Sequence, residues 1–223
     1  LTLNFMYDLL MHREGDIRRQ ASEILGTTIA EFDDEYRKEI PADKQIAQPD
    51  MDSIRLWRKY LDMILNPDHK IIDQHRIWIG YSLKTVVGSL INKSNKKYYN
   101  AYIDVFLENL SLKETNRDKI FIILDALWRL PYPDMSRHQI EVIVDYISTF
   151  FDNDLETTVI ALDTIDRITF LLGHDTTYFI KIVDFLSDLK DDEELAVCYL
   201  KFKISQHLKL KDSITTFYKN KLH

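Results

Sequence analysis

At 223 residues with 45% hydrophobic side chains, the chain carries enough apolar material for a sizeable core and too much for a disordered segment. Five glycines and five prolines are too few for the turns of a β-sandwich or barrel of this length, so composition favours helices. A formal charge of -7 and a pI near 5.5 argue against a general nucleic-acid surface, which neutralises phosphates with Lys and Arg.

Apolar residues recur at helical spacing almost throughout, predicting helices at 3–12, 16–32, 53–65, 71–91, 97–110, 116–130, 136–151, 155–172, 176–189, 192–208 and 210–221. The start, Leu1-Thr2-Leu3-Asn4, has neither an initiator methionine nor the character of a signal peptide, which points to a piece of a longer protein. Asp16, Ser53, Ser136 and Asp154 stand where a side chain accepts from free amides at a helix start, and Ser136 with Gln139 has capping-box spacing. Gly26 is expected near a helix end or bend, as is Gly173. Residues 39–52, with two prolines and no periodicity, read as a loop and the best candidate for a functional insertion. Asn66-Pro67 and Leu130-Pro131-Tyr132-Pro133 stop helices, because proline lacks a donor and disfavours a helical predecessor. Lys93, Lys96 and Lys97 beside Tyr98 and Tyr99 form a small basic-aromatic turn, and Asp191 to Glu194 suits the positive end of a helix dipole. Residues 201–223 hold six lysines against Asp212, about +5, a run that is more often a solvated helix face than an anion site.

Leu124-Asp125-Ala126-Leu127-Trp128-Arg129-Leu130 returns as Leu162-Asp163-Thr164-Ile165-Asp166-Arg167-Ile168, 38 residues later and at the same place in a second helix. First helices begin near 53, 97, 136 and 176, a period of roughly 40. Helix pairs of this period bury their apolar faces by stacking. The expected architecture is an all-α, right-handed α-solenoid of about five antiparallel helix pairs, forming a single domain over 1–223.

Residues 14–26, Glu-Gly-Asp-Ile-Arg-Arg-Gln-Ala-Ser-Glu-Ile-Leu-Gly, resemble the second helix of a HEAT repeat through the leading aspartate, the Ile17-Arg18 pair, Ala21 and Leu25-Gly26. The resemblance implies that Ala21 lets neighbouring helices approach and that Arg18 ties adjacent repeats. Later repeats keep the period but lose the motif, with Thr158 where the arginine would stand.

No phosphate loop, Gly-x-Ser-x-Gly, His-Glu-x-x-His or Cys-x-x-Cys is present, so binding is favoured over catalysis and no cofactor is expected. Seven histidines are scattered, with His69 and His75 too far apart for one helix face, so no metal site is expected. A lone cysteine, Cys198, suits a reducing compartment, and with no apolar run of about 20 residues the expected location is cytoplasmic and off the membrane.

The expected partner is a protein or peptide, bound on the surface of the second helices through Arg19, Asp125, Trp128, Arg129, Asp163 and Arg167. Asp125 with Arg129 and Asp163 with Arg167 are spaced i,i+4, so each pair is expected to lie side by side and the two to form a charged ladder. Ion pairs of a purely structural kind are the commoner outcome of such spacing. Trp57, Trp78 and Trp128 lie near Arg58, Arg76 and Arg129, a combination favoured at interfaces, though packing between helices is the more usual role. The alternative is a HEAT-like DNA glycosylase, which also uses aromatic, acidic and basic residues; the acidic balance of residues 1–200 speaks against it.

Overall fold

Apolar residues recurring every three to four positions are buried together only when the chain coils, and short connections leave each helix beside its neighbours. The computed structural model describes residues 3–38, 51–65, 69–94, 99–111, 114–173, 175–189 and 194–222. Among them are eleven α-helices and no strand: α1 (Leu3–Leu10), α2 (Gly15–Lys38), α3 (Met51–Leu65), α4 (His69–Lys93), α5 (Tyr99–Leu107), α6 (Arg117–Leu127), α7 (Arg137–Ser148), α8 (Leu155–Leu172), α9 (Ile180–Ser187), α10 (Leu195–His207) and α11 (Asp212–Lys221). Each predicted helix has its counterpart. The helices fall into two compact units, Leu1–Leu130 and Pro131–His223.

In the first unit α2, α4 and α6 pack in succession, while α3 packs on α5. The guanidinium of Arg18 lies 4.5 Å from the centre of the Trp78 ring, and two turns further along α2, Gly26 meets α4 between Val86 and Leu90. Both contacts advance in the same sense, so α2 and α4 run parallel. Gly80 beside Ile122 and Lys84 beside Asp125 show the same for α4 and α6. Gly26 lies inside α2, not at its end: a Cβ there would stand 2.6 Å from the Val86 carbonyl oxygen and 2.7 Å from Ser89 Cβ, so its lack of a side chain is what allows the close approach. Ser53 also lies within a helix; instead of capping, its buried hydroxyl accepts from Tyr102 Oη at 3.0 Å, while Trp57 Nε1 donates to the Tyr102 carbonyl at 2.9 Å. Arg58 and Glu108 form a two-pronged pair that likewise joins α3 to α5.

In the second unit α8 packs on α10 and α7 on the segment containing α9. Phe170 meets His207 and Asp166 meets Lys203, so α8 and α10 are parallel; Gly173, at the α8 C-cap, admits the His207 carbonyl where a Cβ would stand 2.6 Å from its oxygen. Asp145 pairs with Lys181 at 2.7 Å and Phe151 stacks on Phe185 with ring centres 4.5 Å apart. α11 closes against α10, with Tyr218 donating to the Leu186 carbonyl at 2.9 Å.

Helix starts follow local chemistry. Ser136 and Gln139 form the predicted capping box, and Asp154 accepts from the Thr157 amide at 3.2 Å. Asp16 falls in the first turn of α2, two places later than a cap, because the helix begins at Gly15. The predicted helix at 176–189 is a 3₁₀ turn over Thr176–Phe179 followed by α9. Of the predicted loop at 39–52, residues 39–50 lie outside the described residues and Met51 and Asp52 open α3. Asn66-Pro67, Lys96 to Tyr98 and Asp191 to Glu193 also lie outside them.

Candidate functional site

Trp78 on α4 and Trp128 at the end of α6 are half-buried, and each has a cation against its ring. Arg18 is positioned by its own helix start: its Nη1 donates to the carbonyls of His12 at 2.5 Å and Arg13 at 2.9 Å, which lays the guanidinium over Trp78. Arg19, beside it, is exposed and engaged with Glu23 at 3.1 Å and Asp16 at 3.9 Å. With Gly15, Asp16, Arg18 and Tyr81 it lines a shallow open groove. One turn before Tyr81 on α4, Ile77 is 75% exposed.

Asp125, Trp128 and Arg129 do come together, but not as the sequence pattern suggested. α6 stops at Leu127, and the chain tightens through Arg129 N–H to the Ala126 carbonyl and Leu130 N–H to that of Leu127. Arg129 therefore leaves the helical face that carries Asp125, and the expected side-by-side pair is replaced. Asp125 instead takes Lys84 of α4 at 2.5 Å. Arg129 lies 5.4 Å from the Trp128 ring centre and Lys84 5.5 Å, so two cations stand within cation–π range of the indole. Lys84 was missed because nothing in sequence aligns α4 with α6.

In the second unit Asp163 is exposed on α8, and Arg167 is half-buried near Tyr132. Burial pushes the Tyr132 phenol up from its ordinary value, partly opposed by the charge of Arg167. The principal charged cluster here centres on Asp166, which is 7% exposed. One carboxylate oxygen accepts from Lys203, and the other lies 3.2 Å from His207 Nε2, a contact whose geometry falls short of a hydrogen bond. The hydrogen bond to Asp166 raises the Lys203 ammonium above its ordinary value against the opposing effect of burial. Asp166 had one legible signal: it occupies the place of Trp128 in the repeat, an acid between the buried Ile165 and Ile168. Its partners, 37 and 41 residues on, carried none.

Among the described residues no three His, Cys, Asp or Glu side chains gather to hold a metal ion, and no helix is long and apolar enough to cross a membrane. The chain matches no protein-family model, no curated protein and no solved structure.

Proposed function

We propose that the chain is a HEAT-like helical-repeat module that binds a protein or peptide along the surface of its second helices: α2, α4 and α6 in the first unit, α8 and α10 in the second. In this reading the helix pairs stack as a right-handed α-solenoid, and Arg19, Asp125, Trp128, Arg129, Asp163 and Arg167 contribute to the binding face. The observation that carries it is the packing of alternate helices in parallel, which is how stacked helix pairs bury a continuous apolar interior. Ala21 is 3% exposed and Arg18 reaches from α2 to Trp78 of α4, in keeping with the roles that the HEAT resemblance gives them. Exposed apolar groups lie on these same helices: Ile77 and Tyr81 on α4, Phe170 on α8, Tyr199 on α10.

The test is to pan a displayed random-peptide library against the chain and measure the recovered peptides on variants. Reversing Arg129→Glu and Arg167→Glu together is expected to weaken them by about tenfold, while helical content is unchanged. Equal binding by the reversed chain, with loss on an α7 variant such as Arg137→Glu, would place recognition on the other helices and refute the assignment. Retention on duplex DNA at low salt, abolished at high salt, would favour the nucleic-acid-acting alternative.

A further inference from the structure

We draw no further inference here: the strongest candidate, the surface patch of exposed Phe170 and Tyr199 rings on α8 and α10, already has His207 and Lys203 against its rings, and nothing in the structure shows what covers it.

Discussion

Lys209 has φ = 51°, the left-handed region in which a Cβ crowds the following carbonyl. It follows the α10 C-cap, Leu208, and two hydrogen bonds close the turn: Lys209 N–H to the Gln206 carbonyl at 3.1 Å and Leu210 N–H to that of Ser205 at 3.0 Å. Those bonds form the reverse turn that ends many helices, at the position where glycine is usual. Lys209→Gly is therefore expected to stabilise the protein by about 1 kcal/mol, the relief of side-chain crowding exceeding the added freedom of the unfolded chain. Chemical denaturation checks it, and a loss of stability of that size would show that the lysine side chain contributes more than its backbone costs. Lys201, on the same helix, is 1% exposed, with its ammonium 4.2 Å from the Phe185 ring centre and 5.4 Å from that of Tyr218. Aromatic faces thus help hold a buried charge in the closure of α11, an arrangement no single stretch of sequence encodes.

Helix starts show where local sequence suffices and where it does not. Ser136 with Gln139 was legible because both members of the capping box lie within one turn. The start of α6 was less so, since a second acceptor ahead of the cap joins in: Asn116 accepts from the Lys119 amide at 3.1 Å, and Glu114 accepts from the amides of Thr115 at 3.0 Å and Asn116 at 2.9 Å. Lys119 returns to Glu114 at 3.1 Å, and both side chains are only 16% exposed. Burial by itself raises the Glu114 carboxyl, but the Asn116 amide, Lys119 and the Thr115 amide outweigh it, and the net shift is downward. A carboxyl that binds its proton less readily when folded contributes stability above the unfolded value, near 4.3, and loses it as pH falls through the lower folded value. Glu114→Gln keeps an acceptor for the amides but removes the charge. It is expected to cost about 1 kcal/mol at pH 7 and to reduce the fall in stability between about pH 5 and 3. Thermal melts across that range decide the matter: parallel pH profiles for the two proteins would show that Glu114 carries no such linkage. Contacts between helices obeyed the apolar period, but their polar ties did not follow it. Asp125 turned to Lys84 because α6 ended three residues early, a boundary set by Pro131 and by turn geometry together.

At the scale of the molecule, periodicity alone conveyed all eleven helices, because each needs only its own apolar face to be recognised. It conveyed less of the grouping, since the same apolar stripe serves any neighbour. The division at Leu130 and Pro131 nevertheless falls where two prolines interrupt the chain, and Tyr132 between them is buried against α8. Packing within residues 131–223 includes the Phe151–Phe185 stack, the Tyr218 bond to Leu186 and the Asp166 clasp, all internal to that unit. A unit with its own core and closing contacts is expected to fold by itself. Residues 131–223 expressed alone should therefore be helical and melt in one cooperative transition. Phe179→Ala, at a position with no exposed surface, should destabilise that fragment by about 3 kcal/mol. A fragment that is helical but melts without cooperativity, or that is indifferent to Phe179→Ala, would mean that the contacts named above do not suffice to form a core, and that the boundary at Pro131 divides the chain only geometrically.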